Sequence, residues 1–214
     1  MDSRASIFRA AVEAAQAIGV SPPTYDQVRA IVGLSLFEAL AMMRPDLDNE
    51  TIAAYTHEFK AAFLRFHEDS NFHEPLYLGA TECLRALKSN GWLIGMATGQ
   101  SRRGVNRCLD AYGWRDIFDV TFCADDGPSK PHPHMLRLNL DGLGVAKSQA
   151  VMIGDTSHDM RMAREAGIHA IGVSWGFHTV DELRAAGAEV IAHDFAELQA
   201  QLAAFAASEH PLNA

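Results

Sequence analysis

Ala150-Val151-Met152-Ile153-Gly154-Asp155-Thr156-Ser157-His158-Asp159 is the stretch that decides the fold. An apolar run, Ala150 to Ile153, enters Gly-Asp, and a second aspartate stands four residues further on, ahead of a helical pattern from Met160 to Ala166. That pattern reads as a buried strand handing over to a helix. In an open parallel α/β sheet, ligands bind at the carboxyl ends of the strands. Two carboxylates at such an end suit Mg²⁺, a hard cation that takes one or two carboxylates plus water and phosphate oxygens. The same residues also describe an ordinary turn in which Asp159 caps the helix. The remainder of the chain must decide between them.

Working outward, the same alternation continues on both sides. Downstream, His169 to Val173 is a strand, Asp181 to Ala186 a helix, Glu189 to Ala192 a short strand and Phe195 to Ala206 a terminal helix. Upstream, Thr81 to Asn90 is a helix and Trp92 to Ala97 a strand ending at Thr98-Gly99. Ser101 to Tyr112 is a helix, Val120 to Ala124 a strand and Pro133 to Leu143 a helix. Strands alternating with helices predict a doubly wound, Rossmann-like parallel sheet covered on both faces.

The first seventy residues follow a different rule. Ile7, Ala10, Ala11, Ala14, Ala15 and Ile18 recur at helical spacing, and Gly19 stops that helix. Thr24 with Gln27 and Ser35 with Glu38 are capping-box pairs, and Asp48 caps a longer helix to about His67. The chain thus divides into an all-helical segment, 9–73, and an α/β segment, 74–208, with residues 1–8 as a hinge into the first.

Bulk composition narrows the partners. The 214 residues are 48% hydrophobic and 21% charged, which is ordinary globular chemistry. A net charge of -9 without a basic run argues against nucleic acid. No apolar stretch reaches membrane-spanning length and no signal peptide is seen. Cys83, Cys108 and Cys123 read as reduced thiols of a cytoplasmic protein, a monomer or a homodimer.

Three strand ends carry polar chemistry. Thr98-Gly99-Gln100 opens a helix at Ser101, so a hydroxyl and free backbone N–H groups form an anion seat. Lys130 lies in Ser129-Lys130-Pro131-His132-Pro133, a loop stiffened by prolines that presents one cation. Asp155 and Asp159 supply the carboxylates. A hydroxyl, a cation and a carboxylate pair at one sheet edge match phosphoryl chemistry, in which positioning and charge neutralisation do most of the catalysis. His132, His134 and His158 match no zinc spacing, and Asp125-Asp126-Gly127 reads as a turn. Trp175-Gly176-Phe177-His178 follows a strand end and is expected to edge the pocket.

Apolar strand then Thr98, Lys130-Pro131-x-Pro133, and Gly154-Asp155-x-x-x-Asp159, in that order, resemble the haloacid dehalogenase superfamily over nearly the whole chain. The branch it resembles most is the phosphoglycolate-phosphatase-like one, whose helical cap residues 9–73 would be; Val32-Gly33 resembles a recurrent cap dipeptide. The resemblance implies that Thr98, Gly99, Gln100 and Lys130 bind the transferring phosphoryl group, with Thr98, Lys130 and Asp155 as catalytic machinery. It implies Asp155 as a ligand of Mg²⁺, Asp159 holding the metal directly or through water, and a small phosphorylated metabolite as substrate. A dehalogenase of the same superfamily needs no metal, which fits the two aspartates poorly.

The family's pattern is not complete here. It begins with a strand ending in Asp-x-Asp-Gly-Thr, whose aspartates are nucleophile and general acid, and Met1-Asp2-Ser3 resembles only the tail of that motif. The resemblance therefore implies a missing central strand and a gap in the sheet beside Ala150–Asp155. Either about ten further residues precede Met1 in the natural protein, or the chain is a truncated paralogue that binds metal and phosphate without catalysis.

Overall fold

Alternating spacing before residue 70 and after residue 80 obeys different periods, and the computed structural model follows both. It describes residues 1–69 and 72–209. Contacts divide the chain into two units, Met1–Leu78 and Gly79–Ala214.

In the first unit, α1 (Arg4–Ala17), α2 (Tyr25–Ile31), α3 (Leu36–Met43) and α4 (Asn49–Glu68) enclose a core of Ala11, Ala14, Leu40, Ile52 and Tyr55. The alanine stripe of α1 lets α4 approach closely, and the buried Tyr55 hydroxyl donates to the Ala11 carbonyl at 2.8 Å. Local capping chemistry holds in two places. Thr24 and Gln27 form the reciprocal box, and Asp48 accepts from the Thr51 N–H. Ser35 does not: its hydroxyl donates to the Glu38 carboxylate at 2.9 Å, so the backbone cap expected there is not made.

The second unit alternates as expected: α5 (Ala80–Ser89), β1 (Gly95–Ala97), α6 (Arg102–Tyr112), β2 (Val120–Phe122), α7 (His134–Leu143), β3 (Val151–Gly154), α8 (Ser157–Ala166), β4 (His169–Val173), α9 (Val180–Ala186), β5 (Val190–Ala192) and α10 (Phe195–Glu209). All strand pairs are parallel. Met160, Met162 and Leu183 of α8 and α9 build a core with Met135 and Leu140 of α7. Cys83, Leu198 and Leu202 of α5 and α10 pack with Ile171 and Val173 of β4 in another. The unit is a doubly wound α/β fold.

Two strands are shorter than their apolar runs. Trp92 N–H completes the end of α5 by donating to the Leu87 carbonyl, and the Ile94 N–H is taken by the Asp119 carboxylate at 2.8 Å. β1 therefore starts at Gly95. β2 ends at Phe122 because the Cys123 N–H donates to Asp126 and the chain winds into one 3₁₀ turn, Ala124–Asp126.

The described strands form two sheets, β1-β2 and β3-β4-β5. β3 is thus an edge strand, with an apolar cavity between it and β1.

Candidate active site

Gly154 ends β3 because nothing larger fits. A Cβ there would stand 2.3 Å from the Cβ of Asp159. The chain then turns into α8 through a reciprocal cap. Thr156 accepts from the Asp159 N–H at 3.2 Å, while Asp159 Oδ2 accepts from the Thr156 N–H at 3.1 Å and its hydroxyl at 2.8 Å. Thr156 is the N-cap and Asp159 its third-position partner, so the cap reading of Asp159 holds in a different form.

The other oxygen of Asp159 accepts from Lys130 Nζ at 2.6 Å, and the two side chains retain only 4% and 7% of their exposure. Burial alone would raise the Asp159 carboxyl; the charge and hydrogen bond of Lys130, with the Thr156 donors, hold it below the ordinary range instead. Both Asp159 oxygens are therefore given to protein donors. Lys130 itself precedes a cis proline, Pro131.

Asp155 is set differently. Its Oδ2 accepts from the Phe177 N–H at 3.0 Å and its carbonyl accepts from the His178 N–H at 3.1 Å. Among the described residues, no donor is recorded for Oδ1. Burial first, and the Asp159 charge second, push its carboxyl above the ordinary range. Gly176 makes this fit possible, since a Cβ on it would fall 2.1 Å from Asp155 Oδ2. The Ser157 N–H donates to His178 Nδ1 at 2.9 Å, which makes that nitrogen the acceptor. The Trp175-Gly176-Phe177-His178 segment is thus the wall of Asp155. Its only sequence signal was its place after a strand end.

Thr98 and Gln100 make their hydrogen bonds on the β1-β2 side. The Thr98 N–H extends the ladder to the Phe122 carbonyl, and Thr98 Oγ1 accepts from the Gln100 N–H at 3.2 Å. Ser101 caps α6, and Asp125 Oδ2 takes the Arg102 N–H at 2.7 Å. A carboxylate of the protein thus already occupies part of that helix N-terminus. Arg102 in turn donates to the Thr121 hydroxyl and carbonyl and to Asp126. The Asp125-Asp126 pair is therefore more than a turn: it ties α6 to the end of β2.

Lys130, Asp155 and Asp159 converge in one place, whereas the Thr98–Gln100 turn belongs to the end of β1. For a divalent cation, Asp155 fits as a ligand: it has a spare oxygen, and its carboxylate sits beside a second negative charge. Asp159, with both oxygens engaged, fits as the group that positions Lys130. No cluster of three histidine, cysteine or acidic side chains able to hold a metal occurs among the described residues.

A parallel strand, β3, that leads into Asp155, with Asp159 in the helix after it and Lys130 brought by a loop, defines an α/β protein with a charged site at the carboxyl end of β3. The sequence profile of the haloacid dehalogenase-like hydrolases matches residues 1–173, and the chain belongs to that family. It is 32% identical over 202 residues to the probable phosphatase IndB of Dickeya dadantii, covering 92% of this chain and 86% of that one. To a phosphoglycolate phosphatase of Photobacterium profundum it is 27% identical, over 92% and 89% of the two chains. A hydrolase from Pseudomonas syringae shares the fold, with a TM-score of 0.82, 23% identity and coverage of 94% of this chain and 92% of that one.

Proposed function

We propose that the α/β unit is the phosphate- and metal-handling half of a Mg²⁺-dependent phosphatase acting on a small phosphorylated metabolite. The observation that carries this is the unequal pair of aspartates. Asp159 is locked to Lys130, while Asp155 keeps an oxygen and a raised proton affinity that a cation would relieve. Phosphatases among the relatives support the same reading. Phosphoglycolate is the substrate suggested by one of those relatives and by the family branch. On this reading the protein works in the cytoplasm, as a monomer or homodimer, without a nucleic-acid or membrane partner.

Mg²⁺ would supply charge neutralisation for a transferring phosphoryl group. The chain's own residues do the rest. Lys130 offers a fixed positive charge held in place by Asp159. Thr98 offers a hydroxyl and Gly99 a backbone N–H, with Gln100 donating its own N–H to Thr98, and Thr156 with the Phe177 N–H keeps both carboxylates oriented. On this reading neither aspartate serves as a nucleophile, because one is engaged by Lys130 and the other would hold the cation.

Calorimetric titration of Mg²⁺, together with hydrolysis of p-nitrophenyl phosphate, tests this. Mg²⁺ binding lost in Asp155→Asn and retained in Thr98→Val is the expected outcome. Binding that survives Asp155→Asn would remove the metal assignment. Mg²⁺-dependent turnover that disappears in Asp155→Asn would show that the chain is itself a working enzyme.

A further inference from the structure

Two segments of the chain meet at Asp155, and each donates to the other. The turn after β4, residues 174–178, gives the Phe177 N–H to Asp155 Oδ2 at 3.0 Å and the His178 N–H to the Asp155 carbonyl at 3.1 Å. In return, the Ser157 N–H donates to His178 Nδ1 at 2.9 Å. Ser157 opens α8, and the first N–H groups of a helix have no acceptor within it. Thr156 Oγ1 takes the Asp159 N–H, so it is the His178 ring that serves Ser157. Both residues are buried, which puts that N–H out of reach of bulk water.

We infer that His178 is a positioning residue for the cation site: its ring, through the Ser157 N–H, fixes the turn that orients the Asp155 carboxylate. This rests on the reading of Asp155 as the cation ligand. Three hydrogen bonds bracket that residue. One holds its side chain, one holds its carbonyl, and the ring holds the backbone two residues on. With Oδ2 and the main chain both fixed, the spare Oδ1 has a fixed place as well. Lys130 and Thr156 do the equivalent for Asp159, so each aspartate has its own support.

The chemistry of the position suits an imidazole. Ser157 needs an acceptor, and a carboxylate there would add a third negative group beside Asp155 and Asp159, which opposes ionisation of all three. A neutral imidazole accepts at Nδ1 and carries its hydrogen on Nε2. The ring is itself held in place. It meets the ring of His158, on α8, edge-on with centroids 5.8 Å apart. Its chain neighbour Thr179 caps α9 in a reciprocal box with Glu182. Met160 and Met162 of α8 share a core with Leu183 of α9, so both helices that flank the ring are packed together. Removing a partner that orients a metal ligand typically lowers metal affinity about 10–100-fold, which is the effect expected of His178.

The test titrates Mg²⁺ by calorimetry into the full chain and its His178→Phe and His178→Asn variants, at a temperature where circular dichroism shows each folded. Phenylalanine keeps a ring and has no acceptor, whereas asparagine brings an oxygen to the place of Nδ1. The Kd for Mg²⁺ is expected to rise about 10–100-fold in His178→Phe and to stay within about threefold of the wild type in His178→Asn. A ring that only supports the fold would lower the unfolding midpoint and leave the Kd of the folded protein unchanged. Wild-type binding that His178→Phe leaves unchanged, or that both variants weaken equally, overturns this inference alone. A wild type that binds no Mg²⁺ overturns the reading of Asp155, and this inference with it. Long-range ¹H–¹⁵N NMR of the wild-type ring needs no variant: a hydrogen on Nε2 is expected, and a hydrogen on Nδ1 overturns the inference even where His178→Phe fails to fold.

Discussion

Replacing Lys130 with methionine should cost the α/β unit about 3–5 kcal/mol, because it strands a buried carboxylate. Lys130 Nζ lies 2.6 Å from Asp159 Oδ1, and the two side chains are almost fully withdrawn from water. In Lys130→Met, Asp159 keeps its Thr156 donors but loses its counter-charge, with Asp155 close by. Asp159→Asn makes the opposite error and leaves a buried ammonium unpaired. The double variant Lys130→Met/Asp159→Asn is neutral at both positions and keeps an oxygen to cap with Thr156. Its cost should fall short of the sum of the single costs by about 2–3 kcal/mol. The measurement is urea unfolding at pH 7.5 without Mg²⁺, followed by tryptophan fluorescence. Trp92, Trp114 and Trp175 are the only tryptophans and all lie in the α/β unit, so the signal reports that unit. A loss under about 1 kcal/mol for Lys130→Met, or strictly additive costs, would refute the buried pair.

Gly176→Ala would press a methyl to 2.1 Å from Asp155 Oδ2, so a stability loss of about 1–3 kcal/mol is expected from overpacking, with weaker Mg²⁺ binding by calorimetry. Asp155→Asn should raise the urea midpoint in Mg²⁺-free buffer near pH 7. A carboxyl pushed up by burial opposes folding when ionised, and the asparagine is never ionised. Tyr55→Phe should cost about 0.5–1.5 kcal/mol, the hydroxyl's bond to the Ala11 carbonyl. Burial pushes the Tyr55 hydroxyl up to about 12, so its contribution is complete below the unfolded value near 10 and is lost as pH rises towards 12. Alkaline unfolding followed by circular dichroism should therefore steepen above pH 10 in the wild type and less so in Tyr55→Phe.

Local chemistry was most legible in the sequence where its partners were close in the chain, though not at every such pair. The Thr24–Gln27 box and the Asp48 cap need only three residues and formed as read. The Ser35–Glu38 pair has the same spacing, yet its two side chains bond to each other, since spacing does not choose between a side-chain and a backbone donor. Strand limits were less legible. Asp119, on another segment, takes the Ile94 N–H and sets where β1 begins. Lys130 and Asp159 were both read as site residues, but 29 residues separate them and nothing in either motif says that each neutralises the other. Arg102 is the same case: Asp125-Asp126-Gly127 looks like a turn until a guanidinium from α6 is placed against it.

The sequence reading of Gly154-Asp155-x-x-x-Asp159 made Asp155 the cation ligand and Asp159 a group holding the metal directly or through water, and their surroundings divide the labour further. A carboxylate fully supplied with donors has little left to offer a cation, and Asp159 has Lys130 on one oxygen and Thr156 on the other. Asp155 has one backbone donor, a glycine pressed flush against it and a negative neighbour, so its charge is costly in the protein alone. Ligand-binding groups are commonly left in that condition, because the missing stabilisation is what the ligand provides. The lysine serves the pair twice. It makes the buried Asp159 tolerable, and its own positive charge offsets part of what the Asp159 charge does to Asp155.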